Sequence, residues 1–518
     1  MSGSCDQLIG GGVREGLTRG QTSLKERGMG YLRAISIALM GMVFVGYIQA
    51  GTNARQHIDR LSDAAALLAQ SQHNAGIALA DEIWNLAELG YLEFQSSAAL
   101  QNYLLENAFQ VDKDLGGIPT AFVASYRSNG ADDADPVIAI LAEFDALPGL
   151  NQAATPFRSV FKEGGSGHAC GHHLFGAASS TAAVALSQWL LANNVRATIK
   201  LVGTPAEEGG SGKVYLARAG VFDGVDVVLH WHPGDANSAS PSSTTSNKSG
   251  RFTFTGRAAH AASAPDRGRS ALDGVEAMNY MVNLMREHVP QTARLHYVIT
   301  DGGDAPNIVP ETAQVYYYVR HPERDRVVEL FDRVVLAAEA AAMGTDTQVD
   351  VEVMHGNYPV LPNHTLARLV NDNLVAMGGI SYTREEQAFA ETIRSTLISP
   401  RRELGSEQRV APYQPRQSMG STDVGDVSWL VPTVGFSTAT WVPGTPAHSW
   451  QAVAAGGMSI GHKGMGLASR LLAKSAAQLI LQPEVMAEAK AELRRAQGPD
   501  FVYAALLGDR EPPLNYRK

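Results

Sequence analysis

The sequence predicts an α/β protein: a large mixed sheet covered by helices, into which a smaller ferredoxin-like α+β unit is inserted. Three observations carry this. The run Val137–Ala142 is apolar throughout, as suits a strand buried on both faces of a helix-covered sheet. Strand and helix patterns alternate from about residue 121 to 230, the order that builds parallel or mixed sheets. A Ser- and Pro-rich stretch at 233–250 and a second junction near 355–363 bracket a different order, strand-helix-strand-strand-helix-strand. That is the split pattern of a ferredoxin-like unit.

The elements follow in chain order. Residues 34–48, AISIALMGMVFVGYI, form an uncharged apolar run preceded by Arg14, Arg19, Lys25, Arg27 and Arg33 and followed by the small residues Ala50, Gly51 and Ala54. This is the layout of an export signal, and the run is short for a spanning helix, which needs about 20 apolar residues. The expectation is an exported, periplasmic protein, or a membrane-anchored one if the segment stays uncleaved; a non-functional leader would leave it cytoplasmic. From Arg55 to Gly90 the spacing of Ile58, Leu61, Ala65 and Leu68 predicts helix. Strands are expected at Ala121–Tyr126, Val137–Ala142, Thr198–Gly203 and Val225–His230, with helices at Ala177–Leu191 and Lys213–Ala219. In the inserted unit RFTFTG, Leu295–Thr300, Gln314–Val319 and Val349–Met354 read as strands, and Ala271–Glu287 and Arg324–Ala342 as helices. The α/β texture then returns to about Gln482. The expected organisation is a leader at 1–54, one domain from 55–243 and 356–490, an insert at 244–355 and a tail at 491–518.

Composition narrows the function. The chain has 518 residues, 42 Lys+Arg and 52 Asp+Glu, for a formal net charge of −10. With no long basic run, that argues against nucleic acid as a partner. Hydrophobic residues at 45% and charged residues at 18% exclude wholesale disorder and fibrous repeats. The two cysteines, Cys5 and Cys170, fall on opposite sides of the apolar segment, so no disulfide framework is expected.

Chemistry concentrates in four short segments. In Gly167-His168-Ala169-Cys170-Gly171-His172-His173, a thiolate and an imidazole two residues apart face one ion if the backbone turns tightly, which Gly171 permits. In Pro205-Ala206-Glu207-Glu208-Gly209-Gly210, adjacent carboxylates suit a metal-bound acid beside a free general base. In His230-Trp231-His232-Pro233, both imidazoles share one face of a strand, and spacing leaves open which of them holds an ion. The fourth is Gly444-Thr445-Pro446-Ala447-His448-Ser449, a turn-rich loop with a single His. Together they offer Cys, His and Glu donors enough for two divalent ions.

These residues resemble the co-catalytic metallopeptidase family of aminoacylases, hippurate hydrolases, plant auxin-conjugate hydrolases and related carboxypeptidases, most nearly the B-subunit group of its aminobenzoyl-glutamate hydrolases. The matching stretches are AEFDALPGLNQ (142–152), GHACGHHLFGAA (167–178), PAEEGGSGK (205–213), LHWHPG (229–234), AAHAASAPDRGRSALDGV (258–275), PNIVP (306–310), STDVGDVSW (421–429) and GTPAHSWQAVAAGGMSIGHKGM (444–465). The resemblance implies a metal-dependent amidohydrolase acting on N-acyl amino acids or short peptides, with two divalent ions, Zn or Mn. It implies Cys170, His172, Glu208, His230 and His448 as ligands, His230 being preferred to His232 because the family's ligand stands three places before a Pro, here Pro233. It further implies Glu207 as general base, His260 reaching the cleft from a partner subunit's small domain, Asn307 and Arg320 as substrate contacts, and Asp145 beneath the metals orienting an imidazole. Most relatives carry Asp or Asn where His173 stands. The inserted unit is expected to act as lid and dimerisation domain, in a homodimer or in a heteromer with a homologous chain. The rival expectations are a non-catalytic or partner-dependent binding protein, and a hydrolase of a different C–N bond.

Overall fold

The computed structural model describes residues 55–517; the apolar run at 34–48, on which the export expectation rests, lies outside the described residues. The larger sheet has six strands, β1 (Gln110–Lys113), β2 (Phe122–Arg127), β3 (Val137–Ala142), β4 (Thr198–Gly203), β5 (Val227–Gly234) and β12 (Thr433–Ala439), in the order β1-β2-β4-β3-β5-β12. The β4, β3, β5 and β12 strands run parallel, while β1 and β2 are antiparallel additions at one edge. Helices His73–Leu86, Phe94–Glu106, His172–Asn193 and Ser459–Leu481 pack with it. β3 is sealed from solvent from Ile138 to Ala142, which is why its sequence shows no alternation.

Helix His172–Asn193 is apolar on every side and almost wholly buried, the pattern of a core helix. Among the described residues it is the helix long and apolar enough to cross a membrane, and 89% of that window is packed inside the protein. It starts five residues earlier than the pattern from Ala177 suggested. Gly171, at φ 76°, ends the preceding turn in the left-handed region, and a Cβ there would sit 2.7 Å from Pro233 Cβ. Glycine is the residue that both the dihedral and the close approach admit.

The second sheet joins β7 (Ser246–Thr255), β8 (Arg294–Asp301), β9 (Thr312–His321) and β10 (Gln348–Asn357) in the antiparallel order β10-β7-β9-β8. Helices Ala271–Met285 and Arg324–Thr345 pack against it. Every element matches the split pattern read from the sequence, and the core of Phe252, Phe254, Val315, Tyr317, Val319 and Phe331 is its own. Alternation in β9 (Ala313, Val315, Tyr317, Val319 inward) places Tyr318 and Arg320 on the other face. Two short strands, β6 (Ser242–Ser243) and β11 (Arg416–Gln417), pair separately.

Other element ends differ from expectation as well, two of them near the site or the chain's end. β5 continues through His232 to Gly234, and helix Pro483–Gln497 extends into the stretch read as tail. Residues 498–517 beyond it hold specific partners instead of hanging free. Arg218 Nη1 donates to the Gly508 and Arg510 carbonyls at 2.7 and 2.8 Å, and Tyr503 Oη donates to Asp426 at 2.8 Å.

Candidate metal centre

The parallel strands all point their C-terminal ends toward one edge, where ligands gather in open α/β sheets. Just past β3 stand Glu143 and Asp145; past β4 comes the Glu207–Glu208 turn; at the end of β5 stands His232. The loops at 167–171 and 444–449 close over them.

His172 is aimed by Asp145, whose carboxylate lies 2.9 Å from Nδ1 while its backbone carbonyl lies at 3.1 Å. That fixes the proton on Nδ1 and leaves Nε2 to face the cleft. The other Asp145 oxygen accepts the Glu208 amide at 2.9 Å, so one carboxylate orients two of the residues implied as ligands. Ala206, before the Glu pair, sits at φ 56° and His448 at φ 58°. Such conformations cost roughly 1–3 kcal/mol each and persist only where the surroundings impose them. The Ala206 amide is tied to buried Glu93 at 2.8 Å, and the His448 amide to the Ala169 carbonyl at 3.1 Å.

The side chains converge in three overlapping groups whose donor atoms lie within 4.8 Å of one another: Cys170, His172 and His232; Cys170, Glu208 and His448; Glu143, His172 and Glu207. Cys170 Sγ lies 3.7 Å from His232 Nε2 and 3.5 Å from His448 Nε2. His448 Nε2 is 3.2 Å from Glu208 Oε1, and His172 Nε2 is 3.1 Å from Glu143 Oε2. Yet Glu143 Oε2, His172 Nε2 and Glu208 Oε1 are buried with no hydrogen-bonded partner. Atoms this close that face a common point without bonding one another fit cations between them, since buried polar atoms are otherwise satisfied. Charge agrees. Burial opposes a charged His172, but Asp145 and Glu143 hold its pKa well above the ordinary imidazole value, so the pocket attracts positive charge. Burial, with Glu208 adding to it, pushes the Cys170 thiol well up; a bound divalent cation reverses that preference.

His230, the preferred ligand of the pair, stands apart from the clustered donors. The structure brings His232, not His230, to Cys170. Two residues earlier on the strand is about 6.6 Å further from the edge, and the His230 ring lies so close to Gly435 of β12 that a Cβ there would collide with it. The Nδ1 of His232 is 2.7 Å from the Pro233 carbonyl, which leaves its Nε2 for the cluster. Burial lowers both imidazoles, His230 to about 4. His230 still lines the cleft, a cavity of about 470 Å³ walled by Glu207, Glu208 and hydroxyls of Ser238, Ser421, Thr422 and Ser437.

Glu207 stands with Glu143 and His172. Burial, then the charges of Glu143 and Glu208, pushes its carboxyl well above the ordinary carboxylate range. Arg320 reaches the cleft rim, donating from Nη1 to Ser421 Oγ at 3.0 Å and lying over Tyr318. His260 and Asn307 are brought together elsewhere, exposed on neighbouring loops of the small domain: His260 bridges Ile308, and the Ala261 amide donates to the Asn307 carbonyl at 3.0 Å. Neither belongs to the clustered groups. His173, at the departure from the family pattern, places Nε2 3.1 Å from the Gly456 carbonyl, and its ring lies tilted against His168 with 4.9 Å between centroids.

Sequence reasoning did not single out Glu143, Lys213 and Asp423. Lys213 is fully buried, with Nζ 2.7 Å from both Glu143 Oε1 and Asp423 Oδ1, so a cation neutralises the acids behind the cluster. For Glu143 the available signal was an ionisable residue inside the apolar-flanked stretch AEFDALPG.

Residues 139–402 match Peptidase family M20/M25/M40. The chain is 38% identical to the B subunit of p-aminobenzoyl-glutamate hydrolase from Escherichia coli (strain K12) over 441 residues, 80% of this chain and 91% of that protein. It is 27% identical to the A subunit of the same organism's p-aminobenzoyl-glutamate hydrolase over 51% of this chain and 63% of that one. Among solved structures it shares the fold of Bacillus subtilis YXEP protein, a dinuclear metal binding peptidase from the M20 family, with a TM-score of 0.53 and 19% identity over 80% of this chain and 99% of that one. The apolar sheet, the ferredoxin-like insert, the converging donor atoms and these likenesses agree: the chain belongs to the M20/M25/M40 peptidase family and is a metal-dependent amidohydrolase.

Proposed function

We propose that this chain hydrolyses the amide bond of N-acyl amino acids with an aromatic acyl group, substrates of the p-aminobenzoyl-glutamate kind. The observation that carries the reading is the convergence of Cys170, His172, Glu208, His448 and His232 beside Glu207 at the floor of one cleft. In this reading those five residues hold two divalent ions; thiolate and imidazole favour Zn, and a carboxylate-rich site favours Mn. Bound ions would bring the pKa of water toward about 7 and polarise the amide carbonyl. Glu207 accepts the proton of the attacking water and delivers it to the leaving amine. Arg320, at the rim, pairs its guanidinium fork with the substrate carboxylate, and Asn307, on the loops it shares with His260, adds a further substrate contact. His260 donates to the carbonyl oxygen from the small domain of a partner subunit.

The relatives named as the B and A subunits of one hydrolase support a heteromer with a homologous chain, with a homodimer as the other assembly. For the segment before residue 55 the proposal remains export or membrane anchoring, tested by fractionating cells that produce the full chain. The activity is tested by measuring metal content and then release of free amino acid from a panel of N-acyl amino acids including p-aminobenzoyl-glutamate. About two ions per chain with turnover is the expected result. Metal without turnover, cured by adding a homologue of the A subunit, would favour the partner-dependent reading. Ammonia release in place of an amino acid would mean another C–N bond, and no metal would overturn the ligand set.

A further inference from the structure

The segment 498–517 crosses the back of the molecule and ends against the turn that carries Glu207 and Glu208. On the way it grips the junction between the two sheets. Tyr358 Oη donates to the Ala504 carbonyl at 2.8 Å. Leu506 packs on Gly356 at the end of β10, and Arg510 donates to the Met354 carbonyl at 2.8 Å. At the turn itself, Tyr516 Oη and Arg517 Nη2 both donate to the backbone carbonyl of Glu208, at 3.1 and 2.6 Å. The Tyr516 ring stands edge-on to Tyr91, 5.5 Å between centroids, and Tyr91 Oη donates to the Gly210 carbonyl at 2.6 Å. Gly90 leaves room for this: a Cβ there would collide with the Tyr516 hydroxyl.

We infer that Tyr516 and Arg517 are positioning residues for the metal centre, fixing the Glu208–Gly209 peptide from behind and so the direction in which the Glu208 carboxylate enters the cluster. The turn needs outside support. Ala206 is held in the left-handed region at φ 56°, a conformation an alanine does not choose, while Gly209 takes φ 90° at no steric cost, so the strain of the turn lies just before the pair of acids. From the front the turn is held by Asp145, through the Glu208 amide. From the back its carbonyl is held by Tyr516 and Arg517. A residue pinned at both its amide and its carbonyl leaves its side chain few directions, and a ligand held in place binds its ion more tightly than one that must be ordered first. Neither residue touches substrate or metal in this account, and the inference rests on the reading of Glu208 as a ligand.

The test uses the full chain, stripped of metal and titrated with Co2+, whose visible bands report the ligand field and whose thiolate charge-transfer band reports Cys170. The double variant Tyr516→Phe, Arg517→Ala should bind the weaker-held Co2+ at least tenfold less tightly, with the thiolate band kept. It should also lower kcat more than it raises KM, and melt within about 2 °C of wild type. Arg517→Lys, which keeps one donor, should recover part of the affinity. Affinity within twofold of wild type would overturn the inference. If the double variant melts far lower, Tyr516→Phe alone decides by the same affinity criterion, because it removes one hydroxyl and keeps the ring on Tyr91. A wild-type chain that takes up no Co2+ would overturn the ligand reading and this inference together, whereas equal affinity in wild type and variant overturns the positioning role alone.

Discussion

Lys213 makes a sharp test of how the site is held together, because its replacement removes one charge from a closed set. The Lys213→Met variant keeps the stem's volume and apolar contacts but leaves Glu143 and Asp423 facing each other's charge in a sealed pocket. Each lies 2.7 Å from Nζ in the native arrangement. Breaking a buried ion pair by removing one partner costs about 3–5 kcal/mol. At roughly 2 °C per kcal/mol for a large domain, the metal-free protein should melt about 6–10 °C lower. The sign with pH follows from the acids. Burial pushes Glu143 up, but Lys213, His172 and His232 together outweigh it and hold the carboxyl below its ordinary value. That contribution is present above the unfolded pKa and lost as pH falls through the folded one. Asp423 is raised by burial to about 6 even with Lys213 beside it, so its ionisation works against the fold as pH rises. Without the ammonium both acids resist ionisation, so the gap between variant and wild type should be widest above about pH 6. It should narrow as pH falls, as Asp423 and then Glu143 take up protons. Differential scanning calorimetry on chelator-treated protein at pH 5 and pH 8 measures it; chelation matters because a bound cation near Glu143 would stand in for the lost charge. A variant that melts within 1 °C of wild type at pH 8 would refute the buried-charge argument.

Glu207→Gln should retain both ions by metal analysis while kcat falls by about 10²–10⁴, the usual worth of a general base; near-normal turnover would remove Glu207 from that role. His232→Ala should lose metal at least tenfold, and His230→Ala should keep affinity within a few-fold, as measured by chelator competition; the reverse result would restore His230 as the ligand. Arg320→Ala should raise KM by roughly 10- to 150-fold for a carboxylate-bearing substrate, from about 1.5–3 kcal/mol for a charged hydrogen bond, with little effect on its amide analogue. Mixed His260→Ala and Glu207→Gln chains should recover activity that neither has alone, because each hybrid holds one intact shared site. No recovery on mixing would place His260 outside the cleft.

The fold was legible because its two sheets leave different marks in the sequence. β3 is uninterrupted in apolar character since both its faces are covered, and the strands of the insert alternate or half-alternate because helices cover one face. The metal centre was legible where donors crowd together, at 168–173 and 207–208, and illegible where one charge stands alone. Lys213 and Asp423 are 210 residues apart and meet only because the helix Gly212–Arg218 and the turn before Val424 pack side by side. Nothing local marks either as buried. The segment 498–517 was read as tail for a related reason: its partners are carbonyls and hydroxyls on elements hundreds of residues away, and it carries no period of its own.

Strand phase alone does not separate His230 from His232. Both residues share a face of β5, so alternation cannot separate them, and the place of Pro233 gave a rule that pointed to the earlier one. Sheet register separates them. β3 pairs with β5 only from Ile138↔Val227 to Ile140↔Leu229, after which the β3 chain turns away into Glu143 and Asp145. Beyond Leu229, β5 is paired on one side only, with β12 through His232↔Ser437 and Pro233↔Thr438. A proline that cannot donate is tolerated where one flank of the strand is free. That opened flank is also where a side chain on the edge can meet residues arriving from β3 and β4. His230 lies at its inner margin against Gly435, and His232 lies within it, 3.7 Å from Cys170 Sγ. Depth along that opened flank, more than strand phase, separates the two imidazoles and supports His232 in the proposed ligand set.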